Sequence, residues 1–144
     1  MSSPDRPQLL ILIDGGSRGN PGPAGFGVHA EDERGAVVAE HFGFIGTATN
    51  NVAEYEALVH AFTLAKALGA RRIEIRSDSE LVVRQMNGVY KVKHPDMIVL
   101  WRKASTLRRG FDDVVIAHVP REENREADAL ANRAMDLKAS HLSD

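Results

Sequence analysis

Apolar positions follow two different periods along this chain, and the switches between them mark its elements. The first run, Leu9-Leu10-Ile11-Leu12-Ile13, is apolar at every position, the pattern of a strand buried on both faces in the middle of a sheet. A turn-rich segment follows, Asp14-Gly15-Gly16-Ser17-Arg18-Gly19-Asn20-Pro21-Gly22-Pro23. Phe26, Val28 and Ala30 then alternate with Gly27, His29 and Glu31, and beyond the polar turn Asp32-Glu33-Arg34-Gly35 an extended run covers Ala36 to Ile45. Together these predict three consecutive strands in an antiparallel meander.

From Asn51 the period becomes 3.6. Asn51-Val52-Ala53-Glu54 has the spacing of a capping box, and Glu54, Leu58, Ala61, Ala65 and Leu68 share one helical face up to the stop at Gly69. The pattern then predicts a strand over 72–77, a helix from about Ser79 to Asn87, and a loop from Gly88 to a helix opening at Pro95 with Ile98, Leu100, Trp101 and Leu107. A last strand covers 114–119. A last helix covers 121–137 with Ala127, Ala131, Ala134 and Met135 facing inward, and the tail from Lys138 reads as frayed. This order predicts one α/β domain over residues 1–144, its core at about 8–137: a five-stranded mixed sheet with the first strand central and helices on both faces.

Composition narrows the chemistry. The chain has no cysteine, which removes disulfides, thiolate metal sites and thiol nucleophiles and is compatible with a reducing cytoplasm. No apolar run approaches the ~20 residues that cross a bilayer, and Met1 to Pro7 lacks the shape of a signal peptide. The expectation is a cytoplasmic monomer with no membrane partner. Net charge is −2, yet Arg84 to Arg109 holds seven basic residues and one acid. That segment reads either as a solvated helix face or as a strip that contacts phosphates.

Four acids stand where hydrophobic elements begin or end. Asp14 closes the first apolar run and Asp78 the strand over 72–77, while Glu54 and Asp128 open the inward stripes of two helices. If the first and fourth strands are neighbours, both aspartates project from one sheet edge, within reach of the other two acids. Such a cluster repels itself unless cations sit within it. Oxygen ligands without sulfur favour Mg²⁺ or Mn²⁺, and two ions about 4 Å apart would clamp an in-line phosphoryl transfer. Taken singly, each acid also has an ordinary reading: a turn at Asp14-Gly15, a capping box for Glu54, a helix cap for Asp78, and a surface charge for Asp128. The glycine-rich segment after Asp14 fits neither a P-loop nor Gly-x-Gly-x-x-Gly.

Four motifs resemble type 1 ribonuclease H in order and spacing: Ile13 to Gly25, Thr49-Asn50-Asn51-Val52-Ala53-Glu54-Tyr55, Ser77-Asp78-Ser79, and His118 to Ala131. The resemblance covers about residues 8–137 and implies the ribonuclease H fold, with cleavage of the RNA strand of RNA–DNA hybrids to 3′-hydroxyl and 5′-phosphate ends. It also implies that Asp14 bridges two Mg²⁺ ions, Mn²⁺ being an alternative. Glu54 and Asp78 would complete the ion near the leaving group, and Asp128 the ion that activates water. His118 matches a loop histidine that assists proton transfer or product exit, although it also reads as an exposed strand-end histidine. Asn20, Asn50 and Asn51 match positions that read the minor groove of the hybrid, and Thr49 one that holds a DNA phosphate; capping and turn chemistry is their alternative. Two departures stand out. The basic handle of many bacterial members is missing between Gly88 and Leu100, leaving Lys91, Lys93 and His94 as candidates for substrate contact, with double-stranded RNA as an additional substrate. Glu80 stands where relatives often carry Gln, adding negative charge beside Asp78. The competing readings are a catalytically idle nucleic-acid-binding module and a DNA transposase or exonuclease on the same fold.

Overall fold

A computed structural model describes residues 6–143. Met1–Asp5, which carry most of the segment read for a signal peptide, and Asp144 of the tail lie outside the described residues. The opening apolar run becomes β1 (Leu9–Ser17), followed by β2 (Gly22–Asp32), β3 (Val37–Ala48), α1 (Asn50–Ala67), β4 (Arg72–Ser77), α2 (Glu80–Met86), α3 (Pro95–Arg108), β5 (Asp113–His118), a 3₁₀ turn (Arg121–Glu123) and α4 (Arg125–Leu137). The sheet order is β3-β2-β1-β4-β5, so β1 is central, as its unbroken apolar run requires. β1 and β3 each pair antiparallel with β2, whereas β4 pairs parallel with both β1 and β5.

Each face of β1 meets a different layer. Ile11, Ile13, Val28 and Ile75 join Leu58 and Phe62 of α1 in the main core. On the other face α4 comes so close that a Cβ on Gly27 would lie 2.3 Å from the Ala127 carbonyl oxygen. α1 is buried almost all round because α3 packs on its outer side, through Met97 and Ala104.

Several boundaries differ from those expected. β1 does not stop at Asp14: glycines and serine carry the antiparallel ladder on to Ser17, opposite Ala24. β3 likewise continues to Ala48, with bulges in its pairing to β2. Leu68 is the C-cap of α1 and is exposed, since the helix ends before that position turns inward. The last helix is broken, with the 3₁₀ turn preceding α4. The tail is ordered as far as His141. After Lys138 adopts a left-handed conformation, the Ser140 hydroxyl accepts a bond from Phe44 N at 2.9 Å, and His141 exchanges two backbone bonds with Phe42 at 2.9 and 2.7 Å.

Candidate active site

The acid cluster sits where the central strand loses one neighbour. β1 pairs with β4 only up to Ile13 opposite Ser77, but with β2 it continues past Asp14. Asp14 and Asp78 are the next residues on the two parallel strands, and both lie at that gap.

Glu54 arrives by a route the sequence pattern mislabels. The N-cap of α1 is Thr49, whose Oγ1 accepts from Val52 N at 3.2 Å. Glu54 therefore lies beyond the first turn and takes no part in a capping box. Its side chain is 7% exposed, and Oε1 accepts a long bond from Gly15 N at 3.3 Å. The contact depends on Gly15, because a Cβ there would fall 2.2 Å from the Ala53 carbonyl carbon. Asp78 does not cap α2 either; that position belongs to Ser79, whose hydroxyl accepts from Val82 N at 3.3 Å.

Ligand oxygens of Asp14, Glu54 and Asp78 all lie within 4.8 Å of one another. Asp128, in the first turn of α4, stands outside this trio but lines the same cleft, where its charge acts on both Asp14 and Asp78. Burial, then the charges of Asp78 and Asp128, push the Asp14 carboxyl up to about 8. Burial, then Asp14 and Asp78, raise Glu54 well above the usual carboxylate range. Asp78 is also raised by burial, against the pull of Arg121 and of a hydrogen bond from Asn124.

This donor set fits a divalent cation. The clustered ligands are hard carboxylate oxygens, and their raised pKa values mark negative charge that the protein itself leaves uncompensated. Glu54 Oε2 is buried with no hydrogen-bond partner among the described residues, an expensive condition that a bound cation would relieve.

The sequence matches the family model described as Reverse transcriptase-like over residues 12–134. Ribonuclease HI of Halobacterium salinarum is 47% identical over 134 residues, which span 92% of this chain and 67% of that protein. The chain belongs to the ribonuclease H family. Solved ribonuclease H structures agree with this. The N-terminal RNase H domain of Rv2228c from Mycobacterium tuberculosis superimposes with a TM-score of 0.88 at 47% identity, covering 92% of this chain and 96% of that one. LC11-RNase H1, solved in complex with an RNA/DNA hybrid, gives 0.86 at 45% identity, covering 90% and 98%. The chain spans only 36% of the full-length bifunctional protein Rv2228c.

The remaining positions of the ribonuclease H motifs divide into two groups. His118, at the end of β5, is exposed and lines the same cleft as the four acids, together with Asn50, Arg121 and Asn132. Asn20 Oδ1 accepts from Asn50 N at 3.0 Å, and Asn50 Oδ1 in turn accepts from Ser17 N at 2.8 Å. Both amide oxygens are occupied, which leaves the amide N–H groups as the side-chain donors. Asn51 follows in the first turn of α1, half-buried. Thr49 uses its oxygen as the cap acceptor, yet its hydroxyl proton is still available, so capping and substrate contact are compatible.

Lys91 and Lys93 are exposed on the short connection between α2 and α3, away from the acid cleft, and Lys91 lines a separate groove with Tyr90, Trp101 and Arg102. The basic segment is weaker than its composition implies. Arg108 turns inward to donate to the carbonyls of Met86 and Val114 at 2.9 and 3.3 Å, and Arg84 pairs with Glu80 at 2.7 Å. The same pair directs the charge of Glu80 to its own helix. Pattern reading missed Arg121, which reaches Asp128 at 3.7 Å, and Asn124. Both lie inside the His118 motif, but nothing in their residue types distinguished them from surface polar groups.

Proposed function

We propose that this protein is an endoribonuclease that hydrolyses the RNA strand of RNA–DNA hybrids by a two-metal-ion mechanism, leaving 5′-phosphate and 3′-hydroxyl ends. The observation that carries this reading is that Asp128 lines the same cleft as Asp14, Glu54 and Asp78, whose ligand oxygens lie within 4.8 Å of one another. Four carboxylates around one cleft can hold a pair of adjacent ions. Bound Mg²⁺, or Mn²⁺ in its place, would supply the activated water and the charge neutralisation at the phosphate. Asp14 would hold both ions, Glu54 and Asp78 the one near the leaving oxygen, and Asp128 the one beside the water. His118, on the open wall of the cleft, carries a proton to or from the reacting groups or eases product exit.

Asn20, Asn50 and Asn51 present amides suited to 2′-hydroxyls and base edges, and Thr49 donates to a phosphate of the DNA strand. Lys91 and Lys93 extend the phosphate contacts in place of the missing handle. Action on double-stranded RNA is part of the same reading, since a short connection between α2 and α3 imposes little on the second strand. Residues 8–137 act as one catalytic domain, and the protein works as a cytoplasmic monomer, which the lack of cysteine suits.

An idle nucleic-acid-binding module would have no use for four carboxylates converging on one cleft. The test is cleavage of labelled hybrid, duplex RNA and duplex DNA in Mg²⁺ or Mn²⁺. Hybrid cleavage that Asp14→Asn lowers by at least a thousandfold is the expected result. Absence of hybrid cleavage by the wild type, or undiminished cleavage by Asp14→Asn, would overturn the reading.

A further inference from the structure

Asn124 is fully buried at the base of the acid cluster, between the 3₁₀ turn and α4, and none of the roles above uses it. It occupies the N-cap position of α4, where asparagine is among the best residues because its side-chain oxygen can accept from the first free N–H groups. Here it makes no such bond. Its Nδ2 instead donates to the Ile13 carbonyl at 2.8 Å, across 111 positions of sequence, and the same amide lies close enough to Asp78 to favour its charged form. Its Oδ1 is left with no donor among the described residues.

The side chain bears on the supports of two acids. Ile13 is the last residue of β1 in register with β4 and directly precedes Asp14. Asp78 is the acid whose charged form that amide favours. The Asn124 main-chain oxygen accepts from Asp128 N at 3.1 Å, the first backbone bond of α4, which does not depend on the side chain. A residue serving the fold alone would cap α4 and would not bury an unmatched oxygen, both of which add stability. The amide is also neutral, so it orients the carboxylates without adding a fifth negative charge or a cation that competes for them. Groups that hold ligands in place typically change metal affinity 10- to 100-fold when removed.

We propose that Asn124 is a positioning residue that sets the spacing of Asp14 and Asp78, and thereby the affinity of the cluster for divalent cations. The inference rests on the metal-site reading above. The decisive experiment measures Mn²⁺ binding by calorimetry in the absence of nucleic acid, for the wild type, Asp14→Asn and Asn124→Ser. Serine can still cap α4 but is too short to reach the Ile13 carbonyl. The expected result is Mn²⁺ affinity about tenfold weaker or more in Asn124→Ser, a hybrid KM within about twofold of wild type, and a metal requirement for cleavage displaced to higher concentration. Affinity within about twofold of wild type overturns the proposal, whether or not melting temperature has dropped. If the serine variant does not fold, Asn124→Thr, which also caps, is measured in sucrose at low temperature, and the same two outcomes decide. Asp14→Asn that binds Mn²⁺ like the wild type would overturn the metal site itself. Asp14→Asn that loses affinity while Asn124→Ser retains it overturns only the positioning role.

Discussion

Ionising Asp14 works against the fold until a cation arrives. Its carboxyl sits near 8 in the folded chain against an ordinary 3.8, so between those values the folded state keeps a proton that the unfolded state has released. Stability contributed by this group is therefore lost as pH rises from about 4 to about 8. In EDTA, the wild type should lose melting temperature relative to Asp14→Asn as pH is raised from 5 to 8, and saturating Mg²⁺ should remove the difference in slope. Calorimetric melting of the two proteins across that range checks it; parallel pH profiles in EDTA would contradict the assignment. At this scale the sequence is informative about residue type and poor about environment. Asp14, Glu54 and Asp78 were legible as acids at element edges, but their mutual burial depends on strands far apart in the chain. Asn124 looked like one more polar residue in a charged run.

Among elements, the joint between β1 and α1 is the most demanding. α1 can deliver Glu54 only because Gly15 lets its backbone touch the strand. Gly15→Ala should push the first turns of α1 away, lowering stability by about 1–3 kcal/mol as other overpacked sites do and reducing hybrid cleavage at least tenfold even at a temperature where the variant is folded. Urea denaturation and steady-state assays separate the two effects; wild-type activity in the variant would show that the contact is dispensable. The strand over 72–77 and the inward alanines of α4 were readable because their period is strict and their flanks are clear. The start of α1 was misread for a physical reason. Asn51 and Glu54 have capping-box spacing, but Thr49 is two residues earlier and its hydroxyl captures the cap. Glu54 is thereby freed to turn inward. The ends of β1 and β3 were missed because glycine-rich strand and glycine-rich turn look alike when only one partner strand sustains the ladder.

For the molecule as a whole, the acid cleft and the basic surface lie on different elements, and a nucleic acid would have to span them. Once Arg84 and Arg108 are withdrawn by their internal partners, Lys91 and Lys93 are left as exposed charges on the α2–α3 connection. Lys91→Ala and Lys93→Ala should each weaken hybrid binding at low salt and reduce the slope of log affinity against log salt by about 1, with little change in kcat. Filter binding across a salt series is the measurement, and an unchanged slope would remove that lysine from phosphate contact. The fold class was legible at this scale because strand and helix order alone restricts the topology. Which basic side chains remain free was not, since that depends on carbonyls such as those of Met86 and Val114 that only the assembled fold brings near.

The short return of the chain at His141 bears on how copies of the protein behave toward one another. β3 borders the sheet, and a bordering strand offers its amides to any extended chain that drifts past. By meeting Phe42 and Phe44 from its own C-terminal side, the molecule closes part of that invitation with itself. Removing residues 139–144 should leave catalysis intact in dilute solution but promote association at high concentration. Static light scattering would register this as a rising apparent mass, and an unchanged mass would show the border to be guarded by other means. A segment that reads as a loose end in the sequence then serves the solubility of the whole.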